Sequence, residues 1–179
     1  MRCSVFIATS LDGFIAREDG SLDWLPPGGG EEHGYTEFMS GIDVVVMGRM
    51  TYETVLGFDA WPYIGTRVVV LSNRPLASAT PEGAVFETMS GAPADIVSRL
   101  AGRGLRHAYV DGGITVQRFL AAGLIQRLTI TRIPVLLGRG IPLFGAVPRD
   151  IRLDHVATRS YEGGMVQSEY TIVSSPPSS

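Results

Sequence analysis

The sequence predicts an α/β fold: a single domain over residues 1–173, built on a mixed central sheet with flanking helices and a C-terminal antiparallel hairpin. Three observations carry this. Short apolar, β-branched runs alternate with amphipathic stretches as far as residue 122, which implies a largely parallel sheet with right-handed crossovers. Beyond that the chain turns strand-rich, and two late runs are separated by Glu162-Gly163-Gly164, a hairpin signal. Finally, 179 residues at 45% hydrophobic and 18% charged suit one sizeable core rather than a disordered or fibrous chain.

The elements follow in order. Ser4–Thr9 (SVFIAT) is strand one. Residues 10–30 form a long loop rich in Gly, Asp and Pro, with Phe14, Ile15, Trp24 and Leu25 as apolar anchors; long ordered loops of this kind are often functional. Glu31–Ser40 reads as a short helix with Tyr35, Phe38 and Met39 on one face. Asp43–Met47 is strand two, and Thr51–Gly57 is a helix whose Tyr52, Val55 and Leu56 make an apolar stripe. Thr66–Ser72 is strand three, closed by the turn Ser72-Asn73-Arg74-Pro75, and Ala84–Glu87 is a short strand four. Ala92–Ala101 is helical, with Ile96, Val97 and Leu100 on one side. His107–Val110 is strand five, ended by Asp111-Gly112-Gly113. Ile114–Ala122 is a helix with Val116, Phe119 and Leu120 facing inward and Gly123 as its cap. Arg127–Leu137 reads as one long strand, Gly138–Gly145 as a loop, and Arg152–Ser160 and Met165–Val173 as the hairpin strands. Residues 174–179, SSPPSS, read as a disordered tail.

Composition excludes several classes. The net charge of −3 gives no global basic field for nucleic acid. Cys3 is the one cysteine, which rules out an internal disulfide or a thiolate metal cluster and suits a small buried hydrophobe. His33, His107 and His155 show no metal spacing, so no metal is expected. The N-terminal stretch lacks the h-region of a signal peptide, and no apolar run approaches the ~20 residues of a membrane helix. A soluble, cytoplasmic protein with no membrane or nucleic-acid partner is expected. All of its positive side chains are arginine.

Three strands finish in small or phosphate-friendly residues: Met47-Gly48-Arg49, Leu71-Ser72-Asn73-Arg74 and Val110-Asp111-Gly112-Gly113. In an open α/β sheet, ligands bind beyond the carboxyl ends of strands. Gly48 and Gly112-Gly113 also precede helices, whose N-termini collect unpaired N–H groups and a partial positive charge. No G-x-G-x-x-G follows strand one, and no G-x-x-x-x-G-K-[ST] is present, so a nucleotide would be held by a different arrangement. Arg49 and Arg74, with Ser72 and Asn73 beside them, suit a second phosphate away from a pyrophosphate. A 2′-phosphate fits, which favours NADP over NAD.

These motifs resemble the dihydrofolate reductase-like superfamily. They are ATSLDGFIAREDGSLDWL from Ala8, VVMGRMTYE from Val45, VLSNRP from Val70 and YVDGGITVQRFL from Tyr109. GLIQRLTITRIPVLLGRGIPLF from Gly123 is similar to the riboflavin-biosynthesis reductase domain, the RibD C-terminal domain, and its stand-alone relatives. The resemblance runs from Ser4 to about Tyr170. It implies a mixed sheet of about eight strands and an NADPH-dependent reductase of a ribosylamino-pyrimidine or pterin-like substrate, commonly a homodimer. By position, Ala8 and Ile15 would lie along the nicotinamide. Gly48, Arg49, Met50 and Thr51 would hold the pyrophosphate and 2′-phosphate. Ser72, Asn73 and Arg74 would contact the adenosine phosphate, and Gly112, Gly113, Ile114 and Thr115 would wrap the pyrophosphate. Nothing matches the H-x-E and P-C-x-x-C signature of the zinc deaminase often joined to the riboflavin enzyme.

The proton donor that such a reduction needs is not singled out. Folate reductases place a carboxylate on the helix after the Trp-containing loop, where it binds the pterin and assists its protonation. Here Glu31, Glu32 and Glu37 fall in that region, and they equally suit a solvated helix start. Asp23 beside Trp24 faces either the pocket or a turn, and Trp24 either stacks on substrate or anchors the loop. Asp12 is read as shaping a turn, Asp111 as orienting the glycine pair, and Trp61 as packing. The riboflavin-type resemblance implies a substrate phosphate to be recognised, and Arg132 and Arg139 are open between that contact and surface or dimer-interface charges. The alternative function is a nucleotide-binding module that kept the fold without turnover.

Overall fold

The computed structural model describes residues 1–26, 33–76 and 82–173, so Glu31, Glu32 and the tail at 174–179 lie outside the described residues. Its strands are β1 (Arg2–Ser10), β2 (Phe14–Ala16), β3 (Val44–Gly48), β4 (Arg67–Leu71), β5 (Val85–Met89), β6 (His107–Asp111), β7 (Arg127–Ile133), β8 (Ile141–Pro142), β9 (Leu153–Ser160) and β10 (Val166–Ile172). Its helices are α1 (Tyr35–Ser40), α2 (Arg49–Leu56), α3 (Pro93–Gly102) and α4 (Gly113–Ala121). Eight strands form one sheet in the order β5-β4-β3-β6-β1-β7-β10-β9, and β2 pairs with β8 in a separate two-stranded sheet. From β5 to β7 neighbouring strands are parallel, while β10 runs antiparallel to both β7 and β9. This is the mixed sheet, parallel first and antiparallel at the end, that the sequence pattern implies, with the eight strands that the resemblance implies.

Strand β3 shows why the sheet is covered twice. Its valines leave no polar alternation, and Val44, Val45, Val46 and Met47 are all fully buried. Val44 and Val46 pack with Val69, Ile96, Leu100, Val116 and Phe119, which places α3 and α4 on one face. Val45 and Met47 pack with Val68, Val70, Tyr52, Val55 and Tyr109, which places α2 on the other. Each fully buried Val or Leu contributes roughly 1.5–3 kcal/mol. Phe6 carries the second cluster toward α1 by packing on Tyr35 and Phe38, with ring centroids 5.6 and 5.0 Å away. Among the described residues no helix is long and apolar enough to cross a membrane.

Four local expectations are corrected. The strand expected to reach Leu137 stops at Ile133, because Pro134 has no N–H for the ladder. The long loop contains β2, which anchors on β8. The early helix begins at Tyr35, because His33 and Gly34 have φ of 45° and 81°, left-handed values that do not continue an α-helix. Helix α2 begins at Arg49 rather than Thr51, so β3 runs directly into it, with Gly48 as the last strand residue and the N-cap. Gly123 closes α4 as expected: its φ is 68°, and the Leu124 amide donates back to the Phe119 carbonyl at 2.9 Å.

Candidate functional site

Parallel pairing puts Met47 of β3 beside Asp111 of β6, so the two chains leave the sheet together at Gly48 and Gly112. Each strand then enters a helix. The two first turns lock reciprocally. A Cβ on Gly48 would lie 3.2 Å from the Thr115 hydroxyl, and a Cβ on Gly112 would overlap the Thr51 hydroxyl. Gly112 also has φ 86° and ψ 143°, which side-chain-bearing residues rarely adopt. On Gly113 a Cβ would meet the Pro142 carbonyl at 3.0 Å and the side chains of Ile141 and Ile15. Small residues therefore let the N-termini of α2 and α4 approach each other and the β2–β8 pair. Among the described residues neither helix has a side-chain N-cap, so their first N–H groups are left for another acceptor.

These ends rim a cleft of about 450 Å³ over the carboxyl edge of β1, β3 and β6. Ten of the thirteen residues expected at a cofactor line it: Ala8, Ile15, Gly48, Arg49, Met50, Thr51, Gly112, Gly113, Ile114 and Thr115. Met50 and Ile114, one in each first turn, are exposed apolar side chains at its lip. Ser72, Asn73 and Arg74 do not line it. They form the turn after β4, joined to the cleft through Arg49. The Arg49 guanidinium donates to the Ser72 hydroxyl from Nε at 3.2 Å and from Nη2 at 2.8 Å. Nη2 also donates to the carbonyls of Arg74 and Pro75, at 2.7 and 2.8 Å, while Nη1 lies 3.6 Å from Glu53.

The floor of the cleft holds Asp111, which sequence reasoning reads first as orienting the turn. Asp111 does orient that turn, since its Oδ1 accepts from the Gly112 amide at 2.8 Å. Its Oδ2 also accepts from the Tyr63 hydroxyl at 3.3 Å. Tyr109, two residues earlier on the same strand face, donates to the Phe6 carbonyl at 2.8 Å. Asp111, Tyr63 and Tyr109 all line the cleft. Burial raises the Asp111 pKa above its ordinary value and outweighs the hydrogen bonds that favour the carboxylate. Burial also pushes both tyrosines well up, with the Asp111 charge adding to it. The arrangement favours the protonated carboxyl more than water does, in a partly shielded pocket, which is the direction a general acid needs.

Of the candidate carboxylates, Glu31 and Glu32 lie outside the described residues, and Asp23 and Glu37 do not line the cleft. Asp23 is exposed and ion-paired with Arg17, whose hydrogen bond holds its carboxyl below the usual range. Glu37 is exposed on α1 and does not line the cleft. Trp24 lies outside the lining, although Leu22 and Leu25 beside it belong to it; its indole N–H is buried without a partner among the described residues. Asp12 does more than shape its own turn. Its carboxylate accepts from the Leu137 and Gly138 amides at 3.2 and 2.7 Å, tying the β1–β2 turn to the loop after β7. Trp61 packs edge-on against Tyr52 and Tyr63. Among the described residues no cluster of His, Cys, Asp or Glu could hold a metal.

A family model described as the RibD C-terminal domain matches residues 3–167. The uncharacterized protein YwjB of Bacillus subtilis (strain 168) is 37% identical over 169 residues, covering 93% of this chain and 95% of that protein. A crystal structure from Shewanella sp. PV-4, described as a riboflavin biosynthesis protein, is similar with 39% identity and a TM-score of 0.86, covering 97% of this chain and 100% of that one. Dihydrofolate reductase from Enterococcus faecalis, in complex with NADP(H), shares the fold at 18% identity with a TM-score of 0.66, over 96% of each chain.

Proposed function

The chain belongs to the RibD C-terminal domain family, and on that footing we propose that it is an NADPH-dependent reductase of a small heterocycle, a ribosylamino-pyrimidine or a pterin-like ring. The observation that carries this is the convergence of two uncapped helix N-termini, at Gly48 and Gly112, on one cleft. The related dihydrofolate reductase is described in complex with NADP(H), and it shares this fold. A dinucleotide fits the cleft's chemistry: a pyrophosphate needs backbone donors and close approach, and glycines at these two points supply both.

When bound, the cofactor supplies the hydride. The chain's own residues bind, orient and handle the proton. The N–H groups of the first turns of α2 and α4 would hold the pyrophosphate. Arg49, braced on the Ser72–Pro75 turn, would meet the 2′-phosphate, and Ala8 and Ile15 would flank the nicotinamide. Asp111, raised by burial and oriented by Tyr63 and the Gly112 amide, would hold the proton that balances the hydride on the reduced substrate. A nucleotide-binding module without turnover is the second reading. It is favoured by Asp23 and Glu37 standing outside the cleft, and opposed by Asp111 within it.

Titration of wild type and Arg49→Ala with NADPH and NADH, followed by nicotinamide fluorescence, tests the reading. Loss of a charge-assisted contact costs roughly 1.5–3 kcal/mol, so NADPH affinity should fall more than about tenfold while NADH changes little. Equal weakening would move Arg49 to the shared pyrophosphate. Binding followed by oxidation on a pterin and pyrimidine panel distinguishes the reductase from the module.

A further inference from the structure

Arg118 lies one turn beyond Ile114 on α4 and lines the same cleft as Arg49 and Leu71. The motifs at the strand ends do not include it. Its Nη2 donates to the Gly91 carbonyl at 3.1 Å, which leaves most of its five N–H donors unspent. Among the described residues no carboxylate forms an ion pair with it. Gly91 sits in the short link between β5 and α3. That link borders the Ser72 turn, because the Ser72 amide donates to the Met89 carbonyl at 2.9 Å. Two guanidinium groups therefore brace neighbouring loops from opposite helices: Arg49 reaches from α2 to the loop after β4, and Arg118 reaches from α4 to the loop after β5.

Arg49 is ill suited to hold a phosphate monoester alone. Its Nε and Nη2 are committed to Ser72, Arg74 and Pro75, and its Nη1 faces Glu53 at 3.6 Å. A phosphate monoester carries about −1.5 to −2 charges near pH 7. Arg49, partly compensated by Glu53, leaves most of that charge unbalanced, and Arg74 does not line the cleft. A second guanidinium with no carboxylate of its own supplies the difference.

We propose that Arg118 is the second arm for the 2′-phosphate of NADP(H), closing on it from α4 while Arg49 holds it from α2. Arg118 is then a specificity-determining residue for the phosphorylated dinucleotide, a role that rests on the dinucleotide reading above. Its side chain is solvent-exposed and outside both core clusters, so replacing it leaves the packing intact.

The test titrates wild type, Arg118→Gln and Arg118→Lys with NADPH and with NADH by nicotinamide fluorescence, and with adenosine 2′-monophosphate by calorimetry. Arg118→Gln should weaken NADPH and adenosine 2′-monophosphate by about tenfold or more and leave NADH within about twofold. Arg118→Lys, which keeps the charge and loses the fork, should fall between. Unchanged NADPH affinity in Arg118→Gln, or equal losses for NADPH and NADH, overturns the assignment while the reductase reading stands. Wild type binding neither dinucleotide overturns both. Should Arg118→Gln melt lower than wild type, the Lys variant decides: full NADPH affinity there overturns the fork contact, and a partial loss with intact NADH binding supports it.

Discussion

Replacing Gly112 by alanine probes the junction of α2 and α4 directly. Two costs add. The residue sits at φ 86° and ψ 143°, and holding an L-residue in such a region costs about 1–3 kcal/mol. The new methyl group would also overlap the Thr51 hydroxyl, with Thr51 Cβ and Cγ2 a further 3.2 and 3.5 Å away. Thr51 is β-branched and stands in the first turn of α2, so rotating it exchanges one contact for another. Overpacking of this kind costs about 1–3 kcal/mol. The sum, about 2–6 kcal/mol, is a large share of the ~5–15 kcal/mol that stabilises a typical domain. Urea unfolding of Gly112→Ala, Thr51→Ala and the double variant separates the two parts. Thr51→Ala in the Gly112→Ala background should recover about 1–3 kcal/mol, the overlap, and leave the backbone strain. A Gly112→Ala stability within about 0.5 kcal/mol of wild type would mean that the helices do not meet there, and the shared phosphate site would lose its geometry.

Two further variants test the titrating groups. Asp111→Asn should lower turnover by about a hundredfold or more while cofactor affinity holds within a few-fold. Because the folded Asp111 pKa is raised, its contribution to stability is present below the unfolded value and lost as pH rises through the folded one. The asparagine variant never ionises, so its stability relative to wild type should improve from acidic to neutral pH. A variant that keeps full turnover would remove Asp111 from the proton step. His107 shows the opposite sign: burial lowers its pKa below 6.5 as its ring bridges the Ser4 hydroxyl and the Gly41 carbonyl. Its contribution is fully present above pH 6.5 and is lost as pH falls through the depressed folded value. His107→Gln should flatten the fall of urea stability over that window, and an unchanged slope would assign the fall to other groups.

Much of the fold was legible because β-branched runs and helical stripes are long enough to declare their periods. Val44–Met47, Arg67–Leu71 and the stripe of Val116, Phe119 and Leu120 are of this kind. Strands β2 and β8, of three and two residues, carry no period and form only because each finds the other. The strand-end glycines announced the cleft because close backbone approach leaves a residue-level mark. Asp111 was visible as a turn residue but not as a shielded acid. Its environment comes from Tyr63, 48 residues earlier, and from a tyrosine on the same face of its own strand. Arg118 reads as the polar side of an amphipathic helix, and only its four-residue spacing from Ile114 hints at the cleft. Asp23 was a candidate by its place beside Trp24 and Glu37 by the folate-reductase resemblance, whereas the ion pair with Arg17 and the exposed face of α1 direct those carboxylates to solvent.

The grip of two helix N-termini on one dinucleotide is tested most directly by amide chemical shifts on adding NADPH. Saturation should move the backbone N–H signals of Arg49–Thr51 and Gly113–Thr115 together, with a single affinity. Movement of only one set, or of neither while NADPH binds elsewhere on the molecule, would contradict it.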